Sequence, residues 1–225
     1  MEPKSKTVVL TAFVAANVEK TKVGSIVNNM EEALIKMKIE PEIFKAVVDH
    51  IVEFYLKANE VFLERTKGKL DAILIGNDFG TQQGLLCSPD DLRQFVFDGT
   101  RKFIEQAHRY GVKVVHHSCG VVFDVIGDLI NTGADVIHPI QARAKGMEPE
   151  RLKQTFGSRV SFCGGLDAQY LLVQGTPEQI AARTAELMKL FPTGLVVSPS
   201  HEAILPDIRP ENIDAFAKAV RGWKN

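Results

Sequence analysis

Short apolar runs alternate along the chain with longer stretches whose apolar residues recur at helical spacing. In one such stretch Ile43, Val47, Ile51 and Phe54 return every three or four positions, as on one face of a helix. The apolar runs are continuous, which is typical of strands buried on both faces of a parallel sheet. The pattern predicts strands at Thr7–Phe13, Ala72–Gly76, Val112–His116, Asp135–Ile140, Val160–Cys163 and Leu195–Ser198. It predicts helices at Asn29–Lys38, Pro41–Lys67, Ser88 to about Arg109, Val122–Asn131, Glu148–Phe156, Thr176–Phe191 and Pro210–Arg221.

Several helix boundaries carry their own signals. Ser88 is a predicted N-cap, because Pro89 suits the first helical position and Asp91 stands three residues after the cap. Thr176 is a second predicted N-cap. Gly111 is placed to end the helix that runs from Ser88 to about Arg109. These signals support the alternation of strands and helices.

About six β/α units fit either a doubly wound sheet or a barrel. Polar residues follow five different strands, as expected where sites converge on a barrel mouth, and no glycine-rich nucleotide-binding loop is present. These polar positions are Asn77-Asp78, His117 to Cys119, His138, Asp167 to Gln169, and His201-Glu202. The sequence therefore favours an α/β fold of the barrel type.

Composition narrows the class of protein. The chain has 225 residues, of which 45% are hydrophobic and 24% charged, with a formal net charge of -1. These values suit one globular domain over residues 1–225 and give no electrostatic case for nucleic acid or an anionic membrane surface. The three cysteines and the lack of a signal-like or membrane-length apolar segment predict a cytoplasmic protein with free or metal-bound thiols.

The strongest chemical signal is His117-Ser118-Cys119-Gly120, at the end of an apolar run. Side chains two residues apart on an extended chain point the same way, so His117 and Cys119 form a candidate metal pair. His201, after a later strand, is the candidate third partner. In the alternative interpretation His117 and Cys119 are buried core residues and His201 is a hydrogen-bonded loop histidine. Cys163 is another possible ligand, although a packed free thiol is the commoner case.

Other polar residues at strand ends are candidates for the rest of a site. Asp78 either orients a ligand histidine or caps the loop after its strand. Gln82 and Asp167 are predicted substrate contacts, with turn formation as the alternative. His138 lines the pocket or has a local structural role, and Glu202 is a predicted substrate contact.

Four segments carry a resemblance to a known family, within a stretch from about Asp71 to Ala219 that covers roughly two thirds of the chain. They are Gly76 to Gln82, His116 to Gly120, Phe162 to Asp167, and Ser200-His201-Glu202 with the following Leu205-Pro206-Asp207 and Pro210-Glu211-Asn212. In this order they resemble the uroporphyrinogen decarboxylase superfamily. The resemblance implies a (β/α)8 barrel of the TIM type and one of two chemistries. One branch decarboxylates a porphyrinogen, and the other contains zinc-dependent methyltransferases that exchange methyl groups with a corrinoid (cobalamin) cofactor.

The His-x-Cys pair is similar to the zinc pair of the methyltransferase branch, which the decarboxylases lack. The resemblance implies that zinc is bound by His117, Cys119 and His201, with Asp78 and His201 in catalysis. The third zinc ligand of those methyltransferases is a cysteine. Here its position holds His201, which instead resembles a decarboxylase histidine. The implied partners are a small-molecule methyl donor or acceptor and a corrinoid-carrying protein.

Members of the superfamily begin with about two β/α units more than this chain. The resemblance therefore implies a barrel that lacks them, so that a second copy or another polypeptide would close the wall. Two alternatives follow from the same resemblance. One is a metal-free carboxy-lyase in which His201 contacts a carboxylated substrate, and the other is a truncated, non-catalytic member.

Overall fold

The computed structural model describes residues 30–201 and 203–223. The predicted strand Thr7–Phe13 and the residue Glu202 lie outside the described residues. The strands are β1 (Ala72–Gly76), β2 (Lys113–His117), β3 (Val136–Ile140), β4 (Ser161–Leu166) and β5 (Leu195–Pro199). The helices are α1 (Met30–Ile39), α2 (Pro41–Thr66), α3 (Pro89–Phe95), α4 (Phe97–Arg109), α5 (Phe123–Thr132), α6 (Pro149–Phe156), α7 (Leu171–Gln174), α8 (Pro177–Leu190) and α9 (Pro210–Gly222).

The strands form one sheet in the order β1-β2-β3-β4-β5, which is their order along the chain. β3 pairs in parallel with β4, with Val136 beside Ser161, and β4 pairs in parallel with β5, with Phe162 beside Leu195. Helices connect successive strands, as parallel pairing requires. The structure confirms the α/β class and the parallel sheet expected from the sequence.

By its internal contacts the chain divides into two compact units. Of the described residues, the first unit comprises 30–77, 87–115 and 131–133, and it contains α1 to α4, β1 and most of β2. Its core is built from apolar side chains of α2 and α4, such as Leu63 and Ile104, which are almost fully buried. Phe44 and Phe95 pack edge to face, with ring centroids 5.3 Å apart.

Of the described residues, the second unit comprises 78–86, 116–130, 134–201 and 203–223. Its apolar core is a cluster around β4, α7 and α8, and each large aliphatic side chain fully buried there contributes roughly 1.5–3 kcal/mol. The members of this cluster are Leu166, Ala168, Leu172, Ile180, Leu187 and Ile208. Within the described ranges, none of the helices combines the length and the apolar character that crossing a bilayer requires. The prediction of a single domain over residues 1–225 stays a prediction.

The helix boundary signals are confirmed. Ser88 and Asp91 form a capping box at the start of α3, and Thr176 and Gln179 form another at the start of α8. Gly111, with φ of 72°, follows the end of α4. A glycine tolerates this left-handed conformation, which is why it terminates the helix.

Three elements differ from the sequence-based expectation. The helix predicted from Ser88 to about Arg109 is interrupted at Val96, where φ is -116°. β4 continues to Leu166, beyond the predicted end at Cys163, because Gly164 and Gly165 pair with β5. The prediction ended earlier because these two glycines interrupt the apolar pattern. The short helix α7 was not predicted, since four residues are too few to show helical periodicity.

Candidate metal centre

Three side chains with metal-binding atoms meet in the second unit. His117 is the last residue of β2, Cys119 follows two residues later, and Asp78 stands in the loop after β1. His117 Nε2 lies 3.2 Å from Asp78 Oδ1 and 3.7 Å from Cys119 Sγ. The ligand atoms of all three residues lie within 4.8 Å of one another. His117 is buried, Cys119 is half-buried and Asp78 is exposed, so the group opens toward solvent on its carboxylate side.

The separations between these atoms suit a zinc ion. Typical zinc bond lengths at tetrahedral angles place a nitrogen and a sulfur ligand about 3.6 Å apart, and a nitrogen and an oxygen ligand about 3.4 Å apart. The observed distances are 3.7 Å for Cys119 Sγ to His117 Nε2 and 3.2 Å for Asp78 Oδ1 to His117 Nε2. Thiolate, imidazole and carboxylate are also the ligand types that zinc prefers in proteins. The three residues therefore fit this metal in both chemistry and spacing.

Backbone hydrogen bonds fasten the loop that carries Asp78 to the segment that carries Cys119. The Cys119 backbone N–H donates to Asp78 Oδ1 over 2.8 Å. The Phe79 backbone N–H donates to Oγ of the buried Ser118 over 2.9 Å. The carboxylate of Asp78 therefore faces His117 and also binds the backbone of the segment that carries Cys119. The two roles considered for Asp78 from the sequence stay predictions.

A close approach of two glycines brings the same two segments together. A Cβ atom on Gly120 would stand 2.4 Å from the carbonyl carbon of Gly80, and one on Gly80 would stand 2.6 Å from the carbonyl oxygen of Val121. The Gly120 N–H donates to Oε1 of Gln141 over 2.6 Å. Gln141 and the contact between the two glycines were not predicted. The signal for the glycines was their place in the two segments of the resemblance, where Gly80 stands two residues after Asp78 and Gly120 directly follows Cys119.

His138, on β3, lies directly against His117. The Nδ1 atoms of His117 and His138 are 2.8 Å apart, and their ring centroids are 5.0 Å apart. The two side chains are buried, with 4% and 7% of their surface exposed. The structure thus places this predicted substrate contact beside the metal-binding atoms, on the far side of the His117 ring.

His116 points away from this group. Its ring is 1% exposed and lies 5.8 Å from the ring of Phe79. Burial lowers the pKa of His116 to about 3, with a smaller effect from His117, so its imidazole is neutral at physiological pH. This agrees with the alternation of side chains along a strand.

His201, in the segment after β5, is the histidine that the sequence offers as a third ligand. Among the residues that the structure describes, the group with metal-binding spacing consists of Asp78, His117 and Cys119. His201 Nδ1 accepts a hydrogen bond of 3.2 Å from the backbone N–H of Ala203, as in a local turn. The role of His201 as a zinc ligand and catalytic residue stays a prediction.

The predicted substrate contacts Gln82 and Asp167 occupy loops after β1 and β4. Gln82 is exposed, and its carbonyl oxygen accepts from the Lys145 backbone N–H over 3.2 Å. Asp167 Oδ1 accepts from the backbone N–H groups of Gln169 and Tyr170 at 2.9 and 3.0 Å, which shows the turn-forming role. Substrate binding by Gln82, Asp167 and Glu202 stays a prediction.

Cys163 was the alternative thiol ligand. Its Sγ lies 3.5 Å from Oγ of Ser198 on the neighbouring strand β5. Burial raises the pKa of the Cys163 thiol, which keeps it protonated and unreactive at neutral pH. Within the described part of the chain, Cys163 does not belong to the group with metal-binding spacing.

Comparisons with known proteins place the fold. A methyltransferase from Methanosarcina mazei is similar in structure, with a TM-score of 0.69 and 21% identity over 85% of this chain and 52% of that chain. The present chain thus spans about half the length of that protein. A structure of native KDPGal also matches, with 16% identity over 72% of this chain and 73% of that chain, but its TM-score of 0.33 supports no argument. No curated protein sequence matches the chain.

The fold likeness to the Methanosarcina mazei protein agrees with a partial TIM-barrel type of architecture. The sequence model of the family described as uroporphyrinogen decarboxylase (URO-D) matches residues 4–223, which is nearly the whole chain. The chain therefore belongs to the uroporphyrinogen decarboxylase family.

Proposed function

We propose that this chain is a zinc-dependent methyltransferase of the family, acting with a corrinoid cofactor. The observation that carries the proposal is the group of Asp78, His117 and Cys119 after neighbouring strands of the sheet. A thiolate–imidazole pair is the part of the resemblance that belongs to the methyltransferase branch. The name of the Methanosarcina mazei protein supports the same branch.

The chain's own residues account for binding and for positioning. Cys119 and His117 supply sulfur and nitrogen donors, and Asp78 supplies an oxygen donor held in place by the Cys119 backbone N–H. His201 is proposed as a further ligand or catalytic group from the sequence. When bound, zinc would lower the pKa of a ligated substrate thiol, so that its thiolate forms at neutral pH.

Burial of His117 keeps water from the inner side of the group, while the exposed Asp78 leaves the outer side accessible to a substrate. Gln82, Asp167 and Glu202 are the proposed substrate contacts. A small-molecule methyl donor or acceptor and a corrinoid carried by another protein are the proposed partners. A second copy or a further polypeptide is proposed to complete the barrel wall.

Decarboxylation is a second candidate, because the matching family model is named for that activity. In this case His201 would contact a carboxylate of the substrate and the chain would need no metal. Product analysis after incubation with a porphyrinogen separates the candidates, since a carboxy-lyase releases carbon dioxide and a methyltransferase does not.

Metal analysis of the purified chain tests the proposal. We expect stoichiometric zinc in the unmodified protein, loss of zinc in Cys119→Ala, and full zinc in the matched control Cys87→Ala. Equal zinc content in the unmodified protein and Cys119→Ala would contradict the proposal. Asp78→Ala and His201→Ala then identify the third ligand, because only the variant that removes a donor lowers the zinc content.

A methyl-transfer assay completes the test. The unmodified chain is mixed with methylcobalamin and a small thiol, and loss of the cobalt–methyl absorbance is followed over time. We expect transfer by the unmodified chain and by Cys87→Ala, and its loss in Cys119→Ala. Zinc binding without transfer to any of a panel of thiols would leave the metal site standing and contradict the proposed thiol acceptor.

A further inference from the structure

The imidazole of His117 has a different partner on each of its two nitrogens. Nε2 faces the metal-binding atoms, at 3.2 Å from Asp78 Oδ1 and 3.7 Å from Cys119 Sγ. Nδ1 lies 2.8 Å from Nδ1 of His138, which is a hydrogen-bond distance. One ring nitrogen of this pair must therefore carry a proton and the other must accept it.

Metal binding decides which nitrogen is the donor. A ring nitrogen that binds a metal presents its lone pair, so the proton of a neutral imidazole must be on the other nitrogen. If Nε2 of His117 binds the metal, its Nδ1 carries the proton and donates to His138. The accepting nitrogen of His138 is then its Nδ1, and its own proton is on Nε2.

We infer that His138 is a positioning residue for the metal ligand His117. By accepting the Nδ1–H of His117, it sets both the tautomer and the rotation of the ring that direct Nε2 toward Cys119 and Asp78. Ligating histidines generally donate their second N–H to an acceptor that fixes the ring in this way. The inference rests on the proposed zinc site, and it gives His138 a task other than contact with substrate.

A backbone hydrogen bond between β3 and the segment after β2 explains why the His138 ring lies beside the His117 ring. The Ser118 backbone N–H donates to the carbonyl oxygen of His138 over 2.8 Å, which ties the segment after His117 to β3. This hydrogen bond therefore joins the two backbone segments directly beside the two imidazole rings. With 7% of its surface exposed, His138 offers little area to a substrate but a full edge of its ring to His117.

Three variants separate the hydrogen bond from simple packing. His138→Asn keeps an oxygen acceptor near the position of Nδ1, whereas His138→Leu fills similar space with no acceptor. His116→Leu is the matched control, because it replaces a buried neutral imidazole on β2, the strand of His117, that faces away from the metal-binding atoms. In the described part of the chain His116 Nδ1 has no hydrogen-bond partner, so its loss leaves no group unpaired there.

The measurement is zinc affinity, by competition with a chromogenic chelator at fixed pH. Loss of the acceptor behind a ligating histidine typically weakens metal binding about 10–100-fold. We expect that loss in His138→Leu, with His138→Asn and His116→Leu close to the unmodified protein. Equal affinity in His138→Leu and the unmodified protein would overturn the inference and leave the zinc site standing. Equal losses in the Leu and Asn variants would assign the effect to packing and also overturn it.

A second measurement needs no variant. In the zinc-loaded protein, nitrogen-15 NMR of the histidine rings should show the proton of His117 on Nδ1 and that of His138 on Nε2. A proton on Nδ1 of His138 in the loaded protein would overturn the inference. If the unmodified protein binds no zinc at all, both the proposed function and the inference fail.

Discussion

Replacing Gly120 with alanine should separate the two segments that carry the metal-binding atoms. The new Cβ would stand 2.4 Å from the carbonyl carbon of Gly80 and 2.6 Å from the carbonyl oxygen of Thr81. Both are backbone atoms, so no change of rotamer relieves the contact. Restoring an ordinary carbon–carbon separation of about 3.5 Å requires the segments to move apart by about 1 Å. The hydrogen bond from Cys119 to Asp78, now 2.8 Å, would then be lost.

The free-energy cost has two parts. A non-glycine residue at the Gly120 φ of 79° costs about 1–2 kcal/mol, and overpacking adds about 1–3 kcal/mol. Together they lower the free energy of unfolding by about 2–5 kcal/mol, or the Tm by roughly 4–20 °C for a chain of this size. Zinc affinity should fall as well, because Asp78 moves out of range of His117.

Gly111→Ala is the matched control for this variant. Gly111 has a similar φ of 72°, but a Cβ there would meet no atom within 4 Å. The control therefore carries the conformational strain alone, about 1–2 kcal/mol, and should leave zinc affinity unchanged. Thermal unfolding without metal, followed by zinc titration, measures both effects. The reasoning is refuted if Gly120→Ala loses no more stability than Gly111→Ala and binds zinc as tightly as the unmodified chain.

Two further predictions concern stability. Hydrogen bonds from Lys38 and Ser88 lower the pKa of Asp91, so this carboxylate stabilises the fold above its ordinary pKa and ceases to do so as the pH falls through its lowered value. Asp91→Ala should therefore lower the free energy of unfolding by about 1–2 kcal/mol at pH 7. In denaturant titrations at decreasing pH, the difference from the unmodified chain should vanish toward pH 2. A difference that does not change with pH would contradict this reasoning. Phe162 is fully buried against Phe191, so Phe162→Ala should lower the free energy of unfolding by about 3–5 kcal/mol in the same assay, and a loss below about 1 kcal/mol would contradict the packing described.

Much of the fold follows from local signals in the sequence. The continuous apolar runs predicted β1 with its observed bounds and the remaining described strands to within a few residues. Ser88 and Thr176 predicted two helix caps, because the backbone groups that they satisfy lie within three residues. Such features depend on short stretches of chain, and a sequence contains them directly.

The candidate site also contains one feature that the sequence predicts and others that it does not. The pairing of His117 with Cys119 was predictable, since residues two positions apart at the end of a strand can share a side. The joining of Asp78 to this pair was predicted only as one of two possibilities. It depends on the close approach of Gly80 to Gly120, which occurs across 40 residues of chain and leaves no periodic pattern.

The alternation of strands and helices, the helix caps and the thiol–imidazole pair are specified by the sequence alone, because each arises between residues that are near neighbours in the chain. The position of the Asp78 carboxylate beside His117, and of His138 at the other nitrogen of the same ring, follows only from the folded chain. These positions depend on strand pairing and on how closely two loop backbones pack, and both are set by contacts between distant parts of the chain.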